Sequence, residues 1–329
     1  MNIYDIAAES NTSISTVSRV LNNKPNVNPV VRKRVEEVLK KYNYKPSAIA
    51  RGMVSKTMKS IAILTVDVRV SHYARTVYTI EQEFSKKGYN VFVCNIKDSK
   101  EECSKYIKIL SEKQVDGIVL IGSIFSELIN TPENLRLIHD IPVVIANGVL
   151  PYPNFHSIMV DDRGAIRLMV EYLQKENYQE LFYIYDRETP SAEEKKNGFI
   201  EALKLSGVKN AEDRIFKCEY GLEGGKAVVE QILASGVLPD ALVFGEDITA
   251  IGAMKEWKRR GYRIPEDLAI TGCNNLMETE ICEPELTTLD NKPELQGKLC
   301  SDLLSEILEG KTTYGGVTIN AELVVKKST

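Results

Sequence analysis

The stretch IYDIAAESNTSISTVSRVLN, residues 3–22, contains two short helical patterns separated by turn residues. Apolar residues recur at i, i+3 and i+4 in both patterns: Ile3, Ile6, Ala7, and Val17, Val20, Leu21. Asn11 lies in the turn, where asparagine tolerates a left-handed backbone. Ser13 directly precedes the second pattern, in the position of a helix cap. The stretch therefore predicts a helix-turn-helix.

A third helical pattern follows. Asn28 and Pro29 occupy the cap and first-turn positions of a helix that runs to about Tyr42. Pro46 ends this pattern, and Ser47 begins a segment with the composition of a short marginal helix or a flexible linker. We assign residues 1–46 to a three-helix head and residues 47–59 to a hinge helix and linker.

The charge of the chain is divided unevenly. Residues 1–59 contain 11 Lys and Arg against four Asp and Glu, whereas the other 270 residues contain 31 against 42. A basic head on an acidic body is typical of a phosphate-binding module attached to a ligand-binding body. Considered alone, the charge is better explained by a solvated lysine-rich helix surface, so the head needs a motif to favour phosphate binding.

From Ser60 onward the periodicity changes. Short apolar runs alternate with amphipathic helices, for example at 61–66, 76–87 and 90–94, and the last strand is expected at 317–325. This alternation predicts an α/β fold with two doubly wound parallel-sheet lobes. We assign residues 60–329 to this core, with an N-lobe of about 60–159 and 290–318. The C-lobe then takes about 160–289 and 319–329.

Composition argues against several classes of protein. No apolar run approaches the length of a membrane helix, and residues 1–14 lack the pattern of a secretory signal, so we expect a cytoplasmic protein with no membrane partner. The six cysteines form no Cys-x-x-Cys pair, so no metal site or cofactor is expected. No phosphate-binding glycine loop and no Gly-x-Ser-x-Gly motif is present, and an enzyme is disfavoured.

The head and core together resemble the LacI/GalR family of bacterial regulators. The resemblance is strongest in residues 3–7 and 13–22, which match the family's I-x-D-V-A and S-x-x-T-V-S-R-V-L-N phrases at the right spacing. Residues 44–51 resemble its hinge, and residues 264–272 and 286–289 resemble phrases of its core. The resemblance implies a helix-turn-helix head, a hinge and a two-lobed core similar to periplasmic binding proteins.

The same resemblance implies the partners of the head. In this family the second helix enters the major groove of double-stranded DNA, and two copies in a homodimer read a palindromic operator. Ile14 and Ser15 are then expected to face bases, and Arg19 to donate to a guanine. Phosphate contacts are expected from Thr16, Ser18 and Asn22. The implied hinge positions are Ala50 and Met53, with Met53 wedged into the minor groove.

In the core, the resemblance implies a small-molecule effector between the lobes, possibly a carbohydrate. Nine residues match the family's ligand-binding positions: Asp67, His72, Tyr73, Asn147, Asp162, Lys195, Tyr220, Asp247 and Asn274. Lys195 stands where the family usually has arginine, and Asn274 where it usually has aspartate, so the ligand is expected to differ. Packing in the core or at its rim is an equally good explanation for the two tyrosines.

Two other functions remain open from the residues alone. A solute-binding receptor shares the two-lobed core, and in that case the head does not read DNA. An enzyme needs catalytic motifs that the sequence lacks. The resemblance favours a transcriptional regulator, with repression as the expectation at the level of the family.

Overall fold

A computed structural model describes residues 2–44, 57–311 and 316–329, and the chain divides into two compact units, Met1–Lys59 and Ser60–Thr329. Ala50 and Met53, which the sequence assigns to the hinge, lie outside the described residues. The two units are taken in turn.

Three helices form the head: α1 (Ile3–Glu9), α2 (Ile14–Leu21) and α3 (Pro29–Lys41). Each helix begins at a side chain that accepts from its first turn, as the sequence predicts. Asn2 Oδ1 accepts from the backbone N–H of Tyr4 at 2.9 Å, and Ser13 Oγ accepts from that of Thr16 at 3.2 Å. Asn28 Oδ1 accepts from Val30 N at 2.9 Å. These bonds pair N–H groups that a helix leaves without a partner of its own.

The apolar stripes of the three helices meet in one small core. Its buried members come from all three helices: Ile6, Ala7, Val17, Val20, Val35 and Val38. The spacing of these residues accounts for the packing, because side chains at i, i+3 and i+4 share one helix face. The helix-turn-helix prediction is confirmed.

The N-lobe contains a six-stranded parallel sheet in the order β11-β5-β4-β3-β1-β2. Its strands are β1 (Ser60–Thr65), β2 (Asn90–Asn95), β3 (Gly117–Ile121), β4 (Val143–Ala146), β5 (Phe155–Val160) and β11 (Val317–Ile319). Five helices follow or cover these strands: α4 (Ser71–Lys86), α5 (Lys100–Glu112), α6 (Phe125–Leu128), α7 (Pro132–Leu137) and α13 (Pro293–Leu308). Every residue of β1, β3 and β4 is buried, as in sheets covered on both faces.

The C-lobe repeats this design in the order β12-β10-β9-β8-β6-β7. Its strands are β6 (Leu181–Tyr185), β7 (Ile215–Lys217), β8 (Ala241–Phe244), β9 (Ala269–Cys273), β10 (Thr287–Asp290) and β12 (Glu322–Val324). The helices are α8 (Asp162–Lys175), α9 (Pro190–Leu205), α10 (Leu222–Ala234), α11 (Asp247–Arg259) and α12 (Glu278–Ile281). The doubly wound prediction holds, except that the edge strand β12 pairs antiparallel to β10.

The predicted last strand, 317–325, is two strands in the structure. β11 extends the N-lobe sheet beside β5, and β12 extends the C-lobe sheet beside β10. The chain therefore crosses from one lobe to the other between Ile319 and Glu322. The expected lobe boundary falls at residues 318–319, but the expected single strand across it is wrong, because Asn320 and Ala321 separate two strands.

Candidate functional site

Helix α2 presents a polar face away from the core of the head. Ile14 is 40% exposed at the first helical position, and Ser15 and Arg19 are exposed beside it. Ser13 Oγ lies 2.8 Å from Ser15 Oγ and 2.9 Å from Thr16 Oγ1, so these hydroxyls form a chain at the start of the helix. An exposed aliphatic side chain beside small hydroxyls suits contact with the edges of bases.

Of the other head residues predicted to bind DNA, Thr16, Ser18 and Arg19 lie on α2, and Asn22 caps its C-terminal end. Asn22 Nδ2 donates to the backbone carbonyl of Ser18 at 2.8 Å, which holds its side chain against the end of α2. Arg19 makes no side-chain hydrogen bond or ion pair with any described residue of the head, and its guanidinium is available to a partner.

A cleft lies between the two lobes of the core, at the carboxyl ends of several parallel strands. Its walls come from the segments after β1, β3 and β4 in the N-lobe and after β6, β8 and β9 in the C-lobe. Ligands bind at this edge of open α/β sheets. The cavity between the walls measures about 60 Å³, so the lobes are closed against each other.

Glu246 is the centre of the charged groups on the C-lobe wall. Its Oε1 lies 3.8 Å from Lys195 Nζ and 3.9 Å from Arg187 Nε, and its Oε2 accepts from Asn274 Nδ2 at 2.9 Å. Lys195 also donates to the backbone carbonyl of Gly245 at 2.9 Å. Both Glu246 and Lys195 are buried, and the single Glu246 carboxylate lies near two cations.

Arg187 extends from the segment after β6 and lies flat over an aromatic ring. Its guanidinium carbon is 3.7 Å from the centre of the Tyr220 ring, a cation–π contact. The neighbouring Asp186 accepts a hydrogen bond from Thr249 Oγ1. Burial, with Glu246 nearby, raises the pKa of Asp186 to about 7.

His72 and Tyr73 form the N-lobe wall at the start of α4. Their rings meet edge to face with centres 4.2 Å apart. Burial lowers the pKa of His72 to about 4, so the imidazole is neutral at pH 7. Its Nδ1 is buried without a hydrogen bond from the described residues, which leaves a polar atom for a ligand to satisfy.

At one side of the cleft, Asn147 and Ser191 both donate to Asp162. Asn147 Nδ2 is 2.8 Å and Ser191 Oγ is 2.6 Å from Asp162 Oδ2. Asn147 has φ 65°, a left-handed conformation that asparagine tolerates and that directs its side chain towards the C-lobe. Burial raises the pKa of the Asp162 carboxyl.

Comparison with known families accounts for both units. Residues 2–47 match the bacterial regulatory proteins of the lacI family, and residues 58–327 match the family of periplasmic binding proteins and the sugar binding domain of LacI. The chain belongs to the LacI family.

Individual relatives agree with this assignment. An HTH-type transcriptional regulator of Lachnoclostridium phytofermentans is 34% identical over 100% of this chain and 99% of its own length. The HTH-type transcriptional repressor CytR of Escherichia coli K12 is 27% identical over 99% of this chain and 95% of its own. The lac repressor dimer bound to operator and the anti-inducer ONPF is similar in fold, with a TM-score of 0.85. It is 22% identical, and the match covers 100% of this chain and 98% of that one.

In this LacI-family core, the cleft brings together five of the nine residues predicted to bind ligand. The lining residues among them are His72, Tyr73, Asn147, Lys195 and Asn274. Asp162 lines a neighbouring pocket instead. Tyr220 lies beneath Arg187 and is not among the lining residues.

Asp67 and Asp247 are also outside the lining of the cleft. Asp67 faces solvent beside Arg69, with a 2.7 Å ion pair between Oδ2 and Nη2 that lowers the pKa of the carboxyl. Asp247 is completely buried within the C-lobe, where it accepts from Thr288 Oγ1 at 2.6 Å and from Leu276 N at 2.9 Å. These hydrogen bonds hold the Asp247 side chain inside the C-lobe, away from the cleft.

Sequence reasoning missed three charged groups of the LacI-family cleft: Asp186, Arg187 and Glu246. Glu246 directly precedes the predicted Asp247, and it is the residue of the pair that faces the cleft. Asp186 and Arg187 follow a buried strand directly, and this position at a strand's carboxyl end is the signal that identifies them.

Proposed function

We propose that the protein is a transcriptional repressor whose head binds a palindromic operator. A small molecule that binds between the lobes weakens or strengthens its affinity for that operator. The observation that carries the proposal is the exposed face of α2, with Ile14, Ser15 and Arg19 directed away from a complete head core. A helix with this face fits the major groove. The relative named a repressor supports the direction of regulation.

We infer that the effector is an uncharged molecule rich in hydroxyl groups. Glu246 and Asn274 accept and donate within the cleft, and the two lining cations, Arg187 and Lys195, face two lining carboxyl groups, Glu246 and Asp186. Arg187 Nε is buried without a hydrogen bond from the described residues, and it is placed to donate to a ligand hydroxyl. The match to a sugar binding domain agrees with this chemistry.

We infer that the protein acts as a homodimer. The edge strand β2 exposes Phe92 and Val93, and the helix α4 beside it exposes Tyr78. An apolar sheet edge is a pairing surface unless it is covered. A twofold pair also supplies the two heads that a palindromic site requires.

We infer further that the chain is a regulator and not an enzyme, since the relatives above are named as regulators. A repressor of this kind acts where the chromosome is, in the cytoplasm. No helix in the described parts of the chain is long and apolar enough to cross a membrane.

Enrichment of a random duplex library by the full-length protein tests the main proposal. A DNA-reading head enriches one palindromic sequence, and its affinity falls steeply as salt rises because bound phosphates release counterions. A receptor whose head does not read DNA enriches no sequence with or without metabolites, and that result would refute the proposal.

The effector is identified separately by thermal unfolding in the presence of sugars, sugar phosphates and nucleosides. A ligand of the folded core raises the unfolding temperature, and the stabilisation grows with the logarithm of the ligand concentration relative to its Kd. We expect a neutral sugar to raise it and its phosphorylated form to have less effect. The opposite order would contradict the charge argument while leaving the DNA-binding proposal intact.

A further inference from the structure

A second cavity of about 440 Å³ lies beside the cleft. We call it the outer pocket. Ser126 and Val149 border it on the N-lobe, and Pro190, Arg163 and Glu194 border it on the C-lobe. The linings of the two cavities share Ser123, Asn147, Val160 and Ser191, whereas Asp162 lines the outer pocket and not the cleft.

Asp162 is the most informative residue of the outer pocket. Its side chain is 5% exposed, and its Oδ2 accepts both hydrogen bonds, from Asn147 and from Ser191. Its Oδ1 is buried and accepts no hydrogen bond from the described residues. A buried carboxylate oxygen without a donor is costly, which agrees with the raised pKa of this carboxyl, and a cationic donor beside it would favour the charged form.

The charges around the outer pocket favour a cation. Asp161, Asp162 and Glu194 line it against a single cation, Arg163. Arg163 Nε already donates to Glu194 Oε2 at 2.9 Å. Two carboxyl groups, on Asp161 and Asp162, are therefore not paired with a cation at the lining of this pocket.

The remaining lining of the outer pocket is largely apolar, with side chains of Val149, Met159 and Pro190. Apolar walls around acidic groups suit methylene groups that end in a charged nitrogen. The described residues include no group of three potential metal ligands, so the chemistry favours an organic cation over a divalent metal ion.

We propose that the outer pocket binds a small aliphatic amine, with its ammonium group donating to Asp162 Oδ1 and its methylene groups against Val149, Met159 and Pro190. This site is additional to the effector cleft. Because both lobes line it, an amine bound there stabilises the lobe arrangement that holds the two walls together. The outer pocket is therefore a second input to the regulator.

Calorimetric titration of the full-length protein with two isosteric probes tests the proposal. The probes are 1,4-diaminobutane and the uncharged 1,4-butanediol, at pH 7.5 and low salt. We expect the diamine to bind at least tenfold more tightly, because only its ammonium groups add charge to the hydrogen bond with Asp162. Equal affinities, or no binding of the diamine, would overturn the proposal.

Two variants locate the site. Asp162→Asn removes the charge and is expected to weaken diamine binding at least tenfold. Val149→Trp fills the outer pocket from an exposed position and is expected to abolish binding without unfolding the protein, which its thermal unfolding verifies. Unchanged binding in a folded Val149→Trp protein would place the amine elsewhere and refute the assignment.

A control separates this site from general attraction to an acidic protein. Asp302→Asn removes an exposed carboxylate on α13, which pairs with Lys298 at 2.9 Å far along the chain from the pocket. Diamine affinity should be unchanged by this substitution. If it falls as much as in Asp162→Asn, the attraction is non-specific and the proposal fails, whatever the library enrichment shows for DNA.

Discussion

The backbone N–H of Ser191 donates to Ser123 Oγ at 3.1 Å, and this hydrogen bond joins the two lobes directly. Ser123 follows β3 in the N-lobe, while Ser191 is the second residue of α9 in the C-lobe. The N–H groups in the first turn of a helix have no partner in the helix itself, and here the opposite lobe supplies one. When the lobes close, the Ser191 N–H group therefore gains a protein acceptor. When they open, only water can accept from it.

Ser123→Ala should weaken effector binding. The substitution removes a hydrogen bond made only when the lobes are closed, at a cost of about 1 kcal/mol, or about fivefold in affinity. Titration of the identified effector measures the change. Ser111→Ala, which removes a 3.1 Å bond to Leu137 O within the N-lobe, is the matched control and should leave effector affinity unchanged. Equal effector affinity in the two variants would contradict a role in closure.

Glu246→Gln should destabilise the core strongly. It leaves buried Lys195 and neighbouring Arg187 without their shared carboxylate, and breaking a buried ion pair costs about 3 kcal/mol or more. Urea unfolding measures the loss. Glu212→Gln makes the same chemical change in the exposed Lys204–Glu212 pair and should cost less than about 1 kcal/mol. Similar losses in both variants would show that the cleft charges are solvated.

The free energy of unfolding should depend on Asp186 between pH 4 and 7. Its pKa rises from 3.8 to about 7 on folding, so across this range the folded protein holds a proton that the unfolded chain releases. Its contribution to stability is complete below pH 4 and declines as pH rises, by up to about 1.4 kcal/mol per pH unit.

Asp186→Asn should remove this decline in the free energy of unfolding. The difference between the unfolding free energies of the parent and the variant, taken at each pH, isolates the contribution of Asp186. Subtraction is necessary because His72, with a pKa lowered to about 4, contributes in the opposite direction, its stabilisation growing from pH 4 to 6.5. Urea unfolding at several pH values gives the curves, with the exposed Asp213→Asn as control. Parallel curves for the parent and Asp186→Asn would show that Asp186 does not titrate in this range.

Arg19→Ala should weaken DNA binding at one base pair. Arg19 is exposed and free of ion pairs with the described residues, and a bidentate contact to guanine discriminates by about 1–3 kcal/mol. Mobility shifts on operators with single substitutions locate the lost preference. Equal loss on every duplex would identify Arg19 as a phosphate contact.

Phe92→Asp should convert the homodimer into monomers. Phe92 is 39% exposed on the edge strand β2, and a buried charge in a paired edge is strongly unfavourable. Sedimentation gives the mass, and mobility shifts should show a matching loss of operator affinity. Leu205→Asp, at an exposed apolar position on α9, is the control. A dimer that survives Phe92→Asp would place the interface on another surface.

Much of the candidate site could be anticipated because residues at the carboxyl ends of parallel strands converge. From this rule and the family pattern, His72, Asn147 and Asn274 were expected to lie close together. All three line the cleft. The choice between Glu246 and Asp247 could not be made from sequence. Adjacent residues at the start of a helix point in different directions, and the packing of α11 on β9 and β10 sends Asp247 into the lobe.

Short-range chemistry in the sequence determined the head and the alternation of the core. A cap such as Ser13 acts on the N–H group three residues away, and the apolar stripe of a helix repeats within one or two turns. Both features can therefore be predicted from the sequence without knowledge of any tertiary contact. The shared counter-charge of Lys195 and Arg187 and the outer pocket around Asp162 were decided only by the tertiary structure. Each depends on groups that are distant along the chain and meet only after the lobes have packed.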